Sequence, residues 1–231
     1  MELPESPKVQ RLSIRGIAEQ ILEILNLERG LGYSFKMLAF DPKGAIREYL
    51  FDNRQRHMKP FQFLLFTVAI ATFISILVLP KPEELLQQLQ QAPEWANMSA
   101  GLQVALTWLT LHLHQYFNII YLIGLPFTSL ASYLIFRSAQ LNYAEHLVIN
   151  AYILGFQTIF YIFIIPLLLH YQWVGFIQIA LTFGYTIYAY KSVFEVSWPK
   201  GMLKTIFVFI VAQALMAMFY GLALGVFVVV Y

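Results

Sequence analysis

Charge-free stretches of helix length constrain this chain more than any other feature of its sequence. Phe61 to Leu79 contains no Lys, Arg, Asp or Glu and is bounded by Pro60 and by Pro80-Lys81-Pro82. A helix needs about 20 apolar residues to cross the hydrocarbon core of a bilayer. Comparable stretches cover Tyr116–Phe136, His146–Leu169, Val174–Tyr190 and Leu203–Tyr231, the last with Lys204 at its edge. Charged residues make up 12% of the chain, against about 25% in soluble globular domains. The expected fold is therefore all-α: a polytopic membrane helix bundle of five transmembrane helices, residues 61–231, behind an N-terminal region of residues 1–60.

The N-terminal region reads differently. From Leu12 to Leu27, Ile14, Ile17, Ile21, Ile24 and Leu25 recur at helical spacing with Arg15, Glu19 and Glu23 between them, an amphipathic helix too charged to span. No basic segment followed by an apolar core opens the chain, so a cleaved signal peptide is not expected. Gly30 and Gly32 precede a short segment, Tyr33 to Phe40. Asp41-Pro42 can then cap and open a helix over Lys43 to Phe51 with Ile46, Tyr49 and Leu50 on one side. Residues 12–51 are expected as cytosolic helices on the membrane surface, or alternatively as a small soluble helical cap. Residues 83–115, with Glu83, Glu84, Gln87 to Gln91 and Glu94, are expected as an interfacial helix outside, its Leu102–Gln115 part lying at the interface or re-entering.

Charge distribution orients the bundle. Ten of the 15 Lys and Arg precede the first span, Arg137 follows the second, and Lys191, Lys200 and Lys204 lie around the junction of the fourth and fifth. Five spans place all of these on one side and leave Lys81 alone on the other. By the positive-inside rule the N-terminus is expected in the cytosol and the C-terminus outside. A sixth span would move Arg137 and the later lysines outside.

Two blocks carry a family resemblance. They are Leu27-Glu-Arg-Gly-Leu-Gly-Tyr-Ser-Phe-Lys-Met-Leu with Asp41-Pro-Lys-Gly-Ala-Ile-Arg-Glu-Tyr-Leu and Lys59-Pro60-Phe61, and the later Leu141-Asn-Tyr-Ala-Glu-His-Leu-Val148. Together they resemble an uncharacterised bacterial multi-pass membrane family whose members often carry an N-terminal zinc ribbon. This chain has no cysteine and so no ribbon, and Asp52-Asn53 stands where such members often have a glycine before the arginine. Five spans with a cytosolic N-terminus are also similar, more distantly, to Yip-type trafficking proteins. The resemblance implies a bacterial cytoplasmic (inner) membrane as the location and no established activity.

Several constellations invite chemistry. Arg54, Arg56, His57 and Lys59 form a basic collar before the first span that could hold anionic headgroups, each cation being worth about 1 kcal/mol near an anionic leaflet; the alternative is a topological anchor. His112 and His114 point about 200° apart on a helix, which disfavours a shared metal and favours interfacial histidines beside Trp108 and Trp173. Glu145-His146 could be an acid–base pair or a helix cap. Gly221 and Gly225 have the spacing that lets helices approach closely, with Ala214 and Ala217 extending the face. In the third span, His146, Asn150, Gln157 and Tyr161 fall within about 60° of one another, and Gln157 lies about 16 Å along the helix from His146. Asn118 in the second span and Gln178 in the fourth could face this polar stripe, as interhelical bonding or as a substrate path.

No nucleophile motif, phosphate loop or metal signature occurs, and a net charge of +2 gives no basis for nucleic-acid binding. The expectation is a non-enzyme without cofactor, catalytic residue or metal. Its role would be membrane organisation, lipid interaction with the bilayer and possible anionic lipids, or docking of a cytosolic protein partner or a second copy. The alternatives are a permease or flippase for a neutral or amphipathic substrate, and an accessory membrane-perturbing effector. A water-accessible central cavity would favour the permease, and a closed bundle with an exposed basic surface would favour the scaffold. Reporter fusions at Ser138 and Tyr231 are expected to show opposite sidedness, and the same side for both would rule out five spans.

Overall fold

The computed structural model describes residues 30–230 except 169 and 172, with backbone alone described at 109, 112–121 and 221–230. Regular structure among these residues is helical throughout. The expected surface helix Leu12–Leu27 lies outside the described residues.

The first described elements form a compact cap. Gly30, with φ of 100°, begins α1 (Leu31–Phe40). A Cβ at Gly30 would sit 2.6 Å from the Met58 nitrogen and 2.7 Å from the Arg56 oxygen, so glycine permits both the positive φ and the contact between these backbones. Asp41 stops α1 and caps α2 (Pro42–Arg47), accepting from the Gly44 N–H at 2.9 Å while Pro42 takes the first turn. A π turn, Glu48–Asp52, and a 3-10 turn, Arg54–Arg56, lead to Pro60. Helices α1 and α2 bury Leu38, Ala45 and Ile46 in the protein's core.

Five long helices follow with α4 (Pro82–Gln91) between the first two: α3 (Pro60–Val78), α5 (Ala100–Ile135), α6 (Tyr143–Leu168), α7 (Val174–Val193) and α8 (Trp198–Val230). One boundary differs from expectation. Residues 83–115 are not one separate interfacial helix; α4 and a 3-10 turn over Trp95–Asn97 precede a continuous α5 that Ser99 caps. The physical reason is that His112, His114 and Gln115 change polarity without breaking a helix, and neither Gly nor Pro interrupts residues 102–115. At 36 residues α5 is about 54 Å long.

Helices α5, α6, α7 and α8 form a ring in which each touches the next, and α7 in turn touches α8, which closes onto α5. Successive members run in opposite directions: Asn150 meets Tyr190 near one end of α6, and Gln157 meets Thr182 farther along. Helix α6 is the hub, because it also takes α3 on its other side and the cap beside it. Gly155 makes the α3 contact possible, since a Cβ there would lie 2.7 Å from Phe63 Cδ1 and 3.2 Å from Leu64 Cα.

Large apolar side chains face outward and polar ones inward. Phe73, Ile76, Leu77, Phe163, Phe176, Ile210 and Met218 are exposed, while Ser132, His146, Asn150 and Gln157 are buried. Among the described residues three helical stretches are long and apolar enough to cross a membrane: Arg54–Val78, Tyr143–Leu168 and Trp198–Tyr220. Replacing Gly155 by Leu is expected to force α3 off α6 and cost about 1–3 kcal/mol, the usual range for overpacking. A thermal unfolding midpoint unchanged from the parent protein would show that this helix pair is not tightly packed.

Candidate functional site

The polar stripe of α6 opens onto the interior of the four-helix ring. His146 Nδ1 lies 2.8 Å from Ser132 Oγ, and that hydroxyl donates to the Ser129 carbonyl at 3.0 Å. Asn150 Nδ2 donates to Ser132 Oγ at 2.9 Å and to the His146 carbonyl at 2.8 Å, and Asn150 Oδ1 accepts from the Tyr190 hydroxyl at 2.5 Å. Phe194 stacks on His146 and on Phe136, sealing this end with rings. Two turns farther along, Gln157 Nε2 donates to Thr186 Oγ1 at 2.5 Å and to the Thr182 carbonyl at 3.3 Å.

Tyr161 leaves this face. Its hydroxyl accepts from Ser75 Oγ of α3 at 3.4 Å, on the opposite side of α6 from α7. Gln178 bonds Thr182 within its own helix at 3.3 Å. The side chains of Asn118, His112 and His114 and the surroundings of Gly221 and Gly225 lie outside what is described. Glu145 forms a reciprocal cap with Asn142: the Asn142 N–H donates to Glu145 Oε2 at 2.7 Å, and the Glu145 N–H to Asn142 Oδ1 at 3.0 Å. His146 points inward and does not share that carboxylate.

Between the ring helices lies a cavity of about 310 Å³. Asn150, Gln157, Thr182, Thr186 and Tyr190 of α6 and α7 give it a polar wall, while α8 contributes Val208, Phe209, Ala212 and Met216 together with the polar Thr205 and Gln213. Among the described residues no Asp, Glu, Lys, Arg or His lines it. Ligand pockets of about 300–1,000 Å³ are typically apolar with a few placed polar groups, and this cavity has that character. Among the described residues no three His, Asp or Glu gather to hold a metal.

The basic collar divides. Lys59 is exposed, and so is Arg54, which donates to the Tyr49 and Leu50 carbonyls at 3.1 and 3.2 Å. Arg56 lies 3.4 Å from Glu48, and its guanidinium sits 5.3 Å over the Tyr33 ring. His57 is buried inside the cap, with Nδ1 3.4 Å from Ser34 Oγ and Nε2 3.2 Å from Glu48 Oε2. Serine, histidine and carboxylate in sequence suggest nucleophilic catalysis. Ser34, however, is fully buried and accepts from the Met58 N–H at 2.9 Å, so no substrate carbonyl can reach it. The cluster ties α1 to the turn before α3.

Sequence reasoning did not find this cluster, nor the bonds that seat the cap. Tyr152 donates to the Met58 carbonyl at 2.6 Å, Tyr185 to Leu38 at 3.0 Å and Tyr188 to Phe40 at 2.8 Å. Glu195, between α7 and α8, pairs with Lys43 at 2.9 Å and with Arg47 at 2.5 Å. The available signal was that Glu48 and Glu195 are acids placed among basic residues.

Both carboxyls are held below their ordinary value of 4.5. For Glu48 the hydrogen bond from Tyr33 is the chief cause, working against burial and helped by His57 and Arg56. For Glu195 the bond from Lys43 leads, with Arg47 adding to it. A depressed carboxyl stabilises the folded state fully above its unfolded pKa, and the benefit is lost as pH falls through the folded value. Cap docking is therefore expected to weaken below pH 4.5. Unfolding midpoints followed through that window should fall less steeply in Glu48→Gln and Glu195→Gln, and least in the double variant. An acid slope identical to the parent in all three would remove these carboxylates from the account.

Residues 28–72, which include the cap and most of α3, match a family described as a protein of unknown function (DUF3667). No curated protein and no solved structure matches the chain. The family match covers well under half of the chain, and over that stretch the protein is similar to an uncharacterised family.

Proposed function

We propose that the protein is a non-enzymatic, five-span membrane protein of the permease or flippase kind, handling a neutral or amphipathic substrate through the cavity between α5, α6, α7 and α8. The observation that carries this reading is a partly polar cavity, with no charged side chain among its described lining residues, inside a bundle that exposes large apolar side chains. Organising or docking roles need no such space, and lipid interaction enters here through the substrate's amphipathic character.

Five spans with a cytosolic N-terminus accord with the alternating directions of α5 to α8 and with the parallel course of α3 and α6. Helix α7 is less apolar than a lipid-immersed span because Thr182, Thr186 and Tyr190 face the cavity. A group lining a polar cavity escapes the cost of meeting hydrocarbon, which is several kcal/mol for an unsatisfied polar group. The exposed cations Lys59 and Arg54 would lie at the cytosolic leaflet of the inner membrane, where they also act as anchors.

The absence of cysteine makes a direct test simple. Single cysteines at Thr182 and Met216, both on the cavity wall, are expected to react with a small water-soluble methanethiosulfonate at least about tenfold faster than one at Ala131, which is fully buried. Equal protection of all three positions would mean that water does not reach the cavity, and the passage reading would give way to a structural one.

A further inference from the structure

A second cavity, of about 360 Å³, lies where the cap docks onto the bundle. Ile46, Leu50 and Phe51 of the cap line it, with Leu141 from the connection between α5 and α6 and Val193 and Phe194 from the end of α7. None of these residues lines the cavity inside the ring. Irregular backbone gathers around this space. Among the described residues the non-glycine positions with positive φ are Gln140, at 55°, and Glu195, at 53°. Glu195 lines the cavity, and Gln140 sits between its lining residues Ala139 and Leu141. Leu50 and Phe51 belong to the π turn Glu48–Asp52. Such backbone costs free energy and clusters at ligand sites and switch regions.

The chemistry of the edge states what a ligand must carry. Arg47 and Glu195 are the charged residues among the described lining, and both side chains are exposed. Lys43 Nζ and Arg47 Nη1 reach the same oxygen, Glu195 Oε1, at 2.9 and 2.5 Å. Two cations therefore share one carboxylate, and the trio keeps one positive charge in excess. A guanidinium has five N–H donors in a planar fork. The bond to Glu195 is made through Nη1, so the Nε and Nη2 edge is where a second carboxylate can pair bidentately. A cation would add to the excess charge, and a dianion would bring surplus negative charge against Glu195. Asp52, next in the π turn, lines a separate hollow with Arg54. The interior calls for a different group. Phe51 leaves its ring 56% exposed beside the open cavity, and an apolar body laid over it and against Leu50 and Leu141 would remove that surface from water.

We propose that this cavity is a second binding site, for a small monocarboxylate with an aromatic or branched apolar body. The apolar part fills the space under the cap, and the carboxylate pairs with Arg47 at the edge. The site is separate from the ring cavity and does not depend on the reading of that cavity as a substrate site. A ligand here touches the cap and the connections on both sides of it, so its binding favours the docked cap.

The test uses the full chain in dodecylmaltoside micelles, titrated with para-trifluoromethylphenylacetate and followed by fluorine NMR line broadening. Its amide and para-trifluoromethylphenethylamine serve as the neutral and cationic counterparts. Saturable broadening is expected for the acid and is expected to disappear in Ala139→Trp, which fills the cavity. The amide and the amine are expected to bind at least about tenfold more weakly than the acid. Arg47→Gln is expected to weaken the acid by a similar factor and to leave the amide unchanged. Glu195→Gln frees both cations and is expected to tighten the acid, an effect that loss of a purely structural ion pair would not produce. Should Ala139→Trp fail to fold, the two charge variants decide, since both change exposed side chains. The amide binding as tightly as the acid would overturn the anionic class, and so would the amine binding best. Broadening that does not saturate, or that is the same in the parent and in every folded variant, would be partition into micelles and would overturn the site.

Discussion

The arrangement of the bundle depends on how three carbonyls in the cap find donors. A helix leaves its last four carbonyls without intrahelical partners, and Leu38 and Phe40 are at that end of α1. Tyr185 and Tyr188 of α7 donate to these two, and Tyr152 of α6 donates to Met58 just before α3. A buried backbone carbonyl without a partner is costly, so for Leu38 and Met58, whose bonds are buried, docking is the condition under which the cap's main chain is satisfied; the Phe40 bond is exposed. Each bond contributes on the order of 1 kcal/mol net. Their positions matter more than their sum, because they set the cap against α6 and α7 and so fix where α3 starts.

Once α3 begins at Pro60, its path along α6 is set by close contact. Gly155 removes the one side chain that would hold the two backbones apart, and Phe63 packs into the space while also meeting the Tyr152 ring. Helix α6 thus has two occupied sides: α3 and the cap on one, the ring interior on the other. Phe156 and Tyr185 stack on the cap side, whereas Asn150 and Gln157 face the interior. The division explains why Tyr161, within about 60° of His146 on a helical wheel, reaches Ser75 of α3 instead of the cavity.

The parts of this fold that were legible in the sequence are those written in runs and periodicity. Charge-free runs bounded by prolines locate α3, and Asp41-Pro42 marks the junction of α1 and α2 because a cap and a fixed φ are local chemistry. Helical spacing places His146, Asn150 and Gln157 on one face, and all three are buried. The course of α5 was misread because polarity at His112 to Gln115 looks like a boundary, yet a helix ends where geometry or capping ends it. Cap docking left no readable trace. A tyrosine in an apolar run gives no indication that its hydroxyl will meet a main-chain carbonyl more than 90 residues away, as Tyr152 does with Met58. The Ser34–His57–Glu48 cluster was hidden for a related reason, since His57 sits between Arg56 and Lys59 and reads as one more exposed cation until folding turns it inward.

Six polar residues of the cavity, Thr128, Asn150, Gln157, Thr186, Tyr190 and Thr205, donate their hydrogen bonds to other groups of the protein. Thr128, Thr186 and Thr205 each return a hydrogen bond to the carbonyl one turn back in their own helix. Such bonds slightly weaken or bend helices, but they remove free donors from a low-dielectric space, where an unmet donor is expensive. Unfilled acceptor capacity is the less costly kind to leave, because oxygens carry two lone pairs and one is already used in many of these contacts. Gly124 opposite Met216, and Ala212 on α8, keep side-chain volume low on the remaining sides. A ring built in this way can hold a cavity without large internal strain.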